Sequence, residues 1–379
     1  MKKILLILSL FLFPISVFAE EELLNKAGSG ILIDADSGKV LFEKEKNLKV
    51  SVASMTKMVA QIIILEEIES GNIKWTDMVT VSKNASDMGG SQIYLETGEE
   101  MSVEDLMKGI SVASGNDATV AMAEYISGNE KKFVKRMNDK VKELGLKNTH
   151  FKNCTGLDED GHFSTSYDMA MIARELIINH PDILRFSSIH EDYLRKDTDR
   201  KFWLVNTNKL INLYDGVDGL KTGHTDDAGY CMAVTAKRNG LRLIGILMKE
   251  ESSKIRNSEA MSLLDYGFQN YKIKNILKKN SDIGKIKVIS GKEDMVKLKL
   301  IEDVNVLDDG DKSNKYTYDI DVRKEISAPI KVGDVVGKII IYSDGKKVKS
   351  VPLTVDKSVS KAGIIDLYKQ SLKSLLNGQ

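Results

Sequence analysis

The residues with the most usable chemistry are Ser54 and Lys57, in Ser54-Met55-Thr56-Lys57. At the start of a helix, residues three apart share a face, which brings a hydroxyl and an amine together. A serine hydroxyl is a weak nucleophile until a base takes its proton. Lysine becomes that base when burial and a second cation depress its pKa, and a helix N-terminus favours negative charge developing nearby. The spacing alone carries little, because it recurs at Ser343–Lys346 and Ser358–Lys361. Of the three copies, only the one at Ser54 opens a long apolar run.

Two further groups belong beside this pair. Ser114-Gly115-Asn116 offers a second hydroxyl and a carboxamide. Ser70-Gly71-Asn72 and Ser127-Gly128-Asn129 share its pattern but follow helical runs, where Gly serves as a C-cap. Ser114 instead precedes a helix, which leaves a site role and an N-cap role for Asn116 or Asp117 equally open. Lys221-Thr222-Gly223 occurs once. A cation and a hydroxyl on a strand edge, with a glycine allowing close backbone approach, suit a substrate carboxylate; the plainer alternative is an exposed turn lysine. His224 invites a Ser-His-Asp triad, but Ser54 lies in Val-Ala-Ser-Met-Thr rather than in G-x-S-x-G. His224 is therefore expected to contribute backbone rather than a base. The histidines at 150, 162, 180, 190 and 224 form no HExxH and no Cys/His cluster, so no metal and no other cofactor is expected.

The elements that must position these groups read as follows. Gly30 to Glu43 is a hairpin turning at Asp36-Ser37-Gly38. Met55, Met58, Val59, Ile62, Ile63, Ile64, Leu65 and Ile68 make a helix apolar nearly all round, the pattern of a core helix. Helices are expected over Val103–Ile110, Ala118–Ile126, Lys131–Leu144, Ser166–Asn179 and Ser258–Asn270. Tyr230–Ala236 and Leu241–Met248 flank Asn239-Gly240, a strong hairpin signal. With strands at both ends and helices between, the simplest architecture is an antiparallel sheet joining the first and last strands, packed by a helical middle. After about Tyr271, short alternating segments separated by turn residues predict a small all-β domain, a β-sandwich-like unit over 271–357. Residues 358–379 place Ile364, Ile365, Leu367, Tyr368, Leu372, Leu375 and Leu376 at helical spacing with a local charge of +2. Such a helix docks on the β domain or lies in a membrane interface.

Bulk properties narrow the setting. Formal net charge is zero, so nothing global points to nucleic acid. Lys2 and Lys3, an apolar run from Ile4 to Phe18 and Val17-Phe18-Ala19 form a signal peptide with cleavage after Ala19, followed by Glu20-Glu21-Glu22. The run falls short of the ~20 residues a membrane span needs and contains Pro14. Cys154 and Cys231 are the only cysteines. An exported protein can pair them, but a core of this size needs no staple and two buried thiols are expected.

In order along the chain, S-x-x-K, S-x-N 60 residues later and K-T-G 105 residues beyond Asn116 are far more specific than any part. Ala53-Ser54-Met55-Thr56-Lys57-Met58, Ala113-Ser114-Gly115-Asn116-Asp117-Ala118 and Asp218-Gly219-Leu220-Lys221-Thr222-Gly223-His224-Thr225 resemble the D-alanyl-D-alanine carboxypeptidases, the low-molecular-weight penicillin-binding proteins of the peptidase S11 family. Asn153–Asp158, His162–Asp168 and Ala328–Gly333 extend the likeness over essentially the whole mature chain. The resemblance implies an α+β, serine β-lactamase/penicillin-binding-protein-like transpeptidase domain over 20–270, the small all-β domain and a membrane-anchoring tail. It implies Ser54 as nucleophile, Lys57 as general base and Ser114 as proton relay. Asn116, Lys221, Thr222, Gly223 and His224 would bind substrate, with an oxyanion hole from the Ser54 and His224 N–H groups. The expected partners are a peptidoglycan stem peptide, β-lactams and the cytoplasmic membrane, with no nucleic acid. The expected location is periplasmic, or the outer face of that membrane. Class A β-lactamases carry Glu-x-x-Leu-Asn; Glu191-Asp-Tyr-Leu194 is followed here by Arg195, which disfavours rapid penicillin hydrolysis. The alternatives are an endopeptidase or β-lactamase on the same scaffold, and a non-catalytic peptidoglycan-binding protein.

Overall fold

A computed structural model describes residues 23–366, apart from 280, 311–314 and 344, together with Tyr368. The signal-peptide reading lies outside the described residues. The central sheet is antiparallel and runs β2-β1-β5-β4-β3, where β1 is Ser29–Asp34, β2 Val40–Lys44, β3 Val217–Thr225, β4 Gly229–Arg238 and β5 Leu241–Glu250. The first strand pairs with the last, Ile31 opposite Ile246, as the order of strands and helices predicts.

Burial on both faces explains why β1 and β5 read as continuous apolar runs rather than alternating ones. Ile31, Ile33, Ile244 and Ile246 enter the larger core, while Leu32, Leu243 and Leu247 enter a second core on the other face. The larger core holds α1 (Lys57–Glu69), whose first nine residues are all buried. Around it stand α2 (Val103–Val112), α3 (Asn116–Ser127), α4 (Glu130–Glu143) and α5 (Ser166–Asn179). The second core lies under α6 (Ser253–Asn270). Asn239 and Gly240 both take positive φ, +48° and +85°, as a type I′ turn between β4 and β5 requires. Gly128 ends α3 in the left-handed region, and Asn129 then caps α4 through the Lys132 N–H. The Ser-Gly-Asn at 127–129 is thus a helix stop and start, separate from the chemistry at Ser114.

A third core, from Ile283 to Val359, is built by the C-terminal strands. Two of those strands, Lys272–Leu277 and Val304–Asp308, give no alternating signal strong enough to find from sequence. Both cysteines are buried and free. At the start of the tail, Val359 and Lys361 form isolated bridges with Ile330 and Gly291, and Ile364–Asp366 are helical; apart from Tyr368, the rest of the expected amphipathic helix lies outside the described residues. No helix among the described residues is long and apolar enough to cross a membrane.

The N-terminal segment is strapped to α6. Glu259 accepts hydrogen bonds from the Lys26 and Ala27 N–H groups, at 2.7 and 3.1 Å. Glu250 lies beside Glu259, with both its oxygens buried. Burial, then the neighbouring Glu259 carboxylate, pushes Glu250 up to about 8. A carboxyl raised in the fold is most favourable while protonated, so its contribution is lost as pH rises through that value. Glu250→Gln should therefore raise the thermal midpoint by a few degrees at about pH 9 and leave it nearly unchanged at about pH 5. Calorimetry across that range checks this, and an equal gain at both ends would refute it.

Candidate active site

Ser54 lies in a 3₁₀ turn, Ala53–Thr56, and Lys57 is the first residue of α1. The Lys57 side chain is fully buried. Its Nζ stands 2.8 Å from Ser54 Oγ, 2.6 Å from Asn116 Oδ1 and 2.7 Å from the Thr155 carbonyl. No carboxylate forms an ion pair with it among the described residues. Burial drives its pKa down to about 7, against the opposing pull of Cys154 and Asp117. Next to it, Thr56 is fixed by His162, whose Nε2 lies 2.8 Å from Thr56 Oγ1. His162 Nδ1 accepts from the Lys152 N–H, so Nε2 carries the proton. Burial holds that imidazole at about 4, neutral at physiological pH.

Ser114 occupies the turn between α2 and α3 with φ +63°, an uncommon conformation for a residue with a side chain and a frequent mark of a constrained site. Its Oγ accepts from Lys221 Nζ at 2.8 Å, and the same amine donates to the Thr222 carbonyl at 2.8 Å. Lys221 is as buried as Lys57, and burial, then the charges of Lys57 and Arg256, hold its pKa well below the usual lysine range. Neither Asn116 nor Asp117 is an N-cap, because Gly115 holds that position without a side-chain bond. Asn116 instead spans the site, receiving Lys57 on Oδ1 and donating Nδ2 to the Gly89 carbonyl at 2.7 Å. Asp117 accepts from the N–H groups of Ile93, Leu95 and Ala118, suspending the 89–95 loop from α3.

Strand β3 supplies the opposite wall. It is an edge strand, hydrogen-bonded only to β4, so its outer side faces the 3₁₀ turn. A Cβ on Gly223 would lie 3.0 Å from the Ser54 nitrogen, so only glycine lets the strand press against that peptide. Thr222 Oγ1 donates to Thr207 Oγ1 at 2.8 Å. His224 is exposed, with its ring 4.0 Å from that of Tyr230 and no hydrogen bond to Ser54 among the described residues. This agrees with the absence of a serine–histidine pair. Ser54, Asn116, the Thr155–Leu157 turn and His224-Thr225 line a cleft of about 330 Å³. Larger hollows lie on the β domain and beside it, but they hold no paired hydroxyl and buried amine. Of the eight residues singled out from sequence, Ser54, Asn116 and His224 line this cleft, Lys57 is hydrogen-bonded to the first two, Gly223 packs on the Ser54 peptide, Lys221 is hydrogen-bonded to Ser114, and Thr222 lies between Lys221 and Gly223 on the same strand.

A model of the D-alanyl-D-alanine carboxypeptidase family matches residues 16–252, and one of the penicillin-binding protein 5 C-terminal domain matches 271–361. The chain belongs to the D-alanyl-D-alanine carboxypeptidase family. It is 44% identical to the Bacillus subtilis D-alanyl-D-alanine carboxypeptidase DacF, covering 96% of this chain and 95% of that one. It is 36% identical to DacA of Escherichia coli over 90% of this chain and 87% of that one. Among solved structures, penicillin binding protein 5 of Haemophilus influenzae superposes with a TM-score of 0.69 at 34% identity, covering 89% of this chain and 98% of that one.

Several residues of the carboxypeptidase cleft were invisible to sequence reasoning. Thr155 acts through its carbonyl, which no side chain advertises. Thr207 and Asp117 are common residue types at unremarkable spacing. Asp158, which accepts from Ser51 and Thr225 at 3.1 and 2.7 Å, ties three segments together and falls within the Asn153–Asp158 likeness. Because Asp117 satisfies three backbone N–H groups, Asp117→Ala should cost about 3 kcal/mol or more. Urea unfolding measures it, and a loss below about 1 kcal/mol would contradict the suspended-loop reading.

Proposed function

We propose that this chain removes the terminal D-alanine from peptidoglycan stem peptides through an acyl-enzyme at Ser54. The observation that carries this is the Lys57 amine, buried, with no ion pair to a carboxylate among the described residues, and 2.8 Å from Ser54 Oγ. In that setting the amine is neutral in a large fraction of molecules near neutral pH. Neutral Lys57 takes the Ser54 proton as Oγ attacks the carbonyl between the two D-alanines. The N–H groups of Ser54 and His224 receive the oxyanion, and the close packing of Gly223 on the Ser54 peptide supports that pairing. One such donor typically contributes about 10²–10³ in rate. Ser114, coupled to Lys221, gives its hydroxyl proton to the departing amine and takes in exchange the proton that Lys57 removed from Ser54, so that Lys57 is neutral again for hydrolysis of the ester. Lys221 and Thr222 hold the substrate carboxylate, which supplies the negative charge that buried Lys221 lacks. Asn116 positions the substrate amide, and water then hydrolyses the ester.

Penicillin presents the same geometry and acylates Ser54. Slow release follows from the surroundings: Glu191 is exposed on the Glu191–Leu194/Phe202–Val205 hairpin, outside the Ser54 cleft. Arg195 is engaged with Glu99 and the Ile93 carbonyl. We assign 20–270 to the catalytic domain, 271–357 to the β domain, and membrane attachment to the tail on the outer face of the cytoplasmic membrane. Ile364 and Ile365, 88% and 71% exposed, support that attachment.

Incubation with fluorescent penicillin, and separately with a D-Ala-D-Ala-terminated peptide, should give a stable label and free D-alanine, both abolished in Ser54→Ala. The acylation rate should rise with pH through about 7 and then level, since only unprotonated Lys57 is a base. Labelling without D-alanine release would defeat the carboxypeptidase reading. Removal of 358–379 should abolish sedimentation with anionic vesicles, and unchanged sedimentation would defeat the tail assignment.

A further inference from the structure

Lys57 acts as a base only if its lone pair points at the Ser54 proton. A neutral amine has two N–H donors and one lone pair. Three oxygens surround Nζ at hydrogen-bonding distance: Ser54 Oγ, Asn116 Oδ1 and the Thr155 carbonyl. A backbone carbonyl can only accept. If it and the Asn116 oxygen take the two N–H groups, the lone pair is left facing Ser54. The Thr155 carbonyl therefore aims the base, and whatever fixes that carbonyl governs the reaction.

The turn carrying Thr155 is held on its far side by Asn153 Nδ2, which donates to the Leu157 carbonyl at 3.0 Å, and by Asp158, bonded to Ser51 and Thr225. Asn153 Oδ1 accepts from the Gly156 N–H at 2.8 Å and from Thr155 Oγ1 at 3.2 Å. Gly156, at φ +85°, lies so close to Ala53 that a Cβ would sit 1.9 Å from its carbonyl oxygen. On the side of Cys154, which precedes Thr155, the support comes from outside the turn. Glu130, the first residue of α4, places Oε1 3.1 Å from the Cys154 N–H and 3.2 Å from Cys154 Sγ. Cys154 is wholly buried and stays a thiol, raised by burial and by the Glu130 carboxylate, so its S–H donates. One carboxylate oxygen thus grips both polar groups of the residue immediately before Thr155. Neither Glu130 nor Cys154 touches the cleft.

We propose that Glu130 is a positioning residue for acylation: by clamping Cys154 it holds the Thr155 carbonyl against Lys57 and so directs the lone pair of the base onto Ser54. This rests on the Ser54 acyl-enzyme reading. It also gives Cys154 a use as a two-point handle, where the sequence suggests none.

The test uses the full mature chain and fluorescent penicillin, with the acylation rate followed from about pH 5 to 10. Glu130→Ala should lower the high-pH plateau by about 10- to 100-fold, the scale expected when a catalytic group is misdirected. It should also move the midpoint to lower pH, because the ammonium form loses a fixed acceptor. Glu130→Gln keeps an oxygen at the same place and should restore the plateau to within about threefold of wild type. Thermal melts establish that each variant is folded. If Glu130→Ala does not fold, Glu130→Asp, which withdraws the carboxylate by one methylene, takes its place with the same expectations. A folded variant with plateau and midpoint unchanged would overturn the assignment. So would a lowered plateau with an unmoved midpoint that Gln fails to rescue, since that is the mark of a structural role. Absence of labelling in wild type at every pH would instead defeat the acyl-enzyme reading and this inference with it.

Discussion

Burying an amine without an opposing carboxylate is expensive, and this fold does it twice within one site. Lys57 and Lys221 are both sealed from solvent, and each is satisfied only by neutral oxygens. The cost appears as a depressed affinity for protons, which for Lys57 is the property that acylation chemistry requires. Much of the surrounding structure sustains that cost. The apolar circumference of α1 keeps water away from the amine. The suspended 89–95 loop brings the Gly89 carbonyl to Asn116, and the 153–157 turn supplies a carbonyl where a carboxylate would have been easier to place. A glutamate near Nζ would stabilise the fold and leave Lys57 protonated and inert.

The sheet makes the rest of the arrangement possible. Both of its faces are buried, so its strands are held by two separate cores and cannot slip by one residue without exchanging those cores. Only the edge at β3 is left open beside the nucleophile. An exposed strand edge is ordinarily a liability. Here it offers a row of backbone groups to an extended peptide, with Lys221 and Thr222 toward one end and His224 toward the other, which fits a substrate that is itself a short chain ending in a carboxylate.

Much of this was legible in the residues. The helix over Ser166–Asn179 has the limits its pattern suggests. The hairpin at Asn239-Gly240 follows from turn chemistry. Ser54, Lys57, Ser114, Asn116 and Lys221 converge because a nucleophile, its base and a carboxylate binder must be named side chains at workable spacing. What stayed hidden acts through backbone or through common residue types. The Thr155 carbonyl, the Asp117 carboxylate serving three amides and the Glu130 grip on Cys154 leave no periodic trace. Short pairs such as Met78–Thr80 with Glu100–Ser102 are fixed by what they pack against rather than by propensity.

The pairing of β1 with β5 reaches beyond architecture into the timing of assembly. Ser29–Asp34 finds its main partner in Leu241–Glu250, more than two hundred residues later. Ser54 and Lys57 likewise lie early in the chain, while the strand that carries Lys221 and Thr222 lies late. A chain made from its N-terminus therefore holds its first strand paired only with β2, and its cleft unformed, until most of the protein has emerged. For an exported polypeptide this is an advantage: a hydrolase that acts on cell-wall peptides completes its active site only once its last sheet strands have emerged and folded back onto its first.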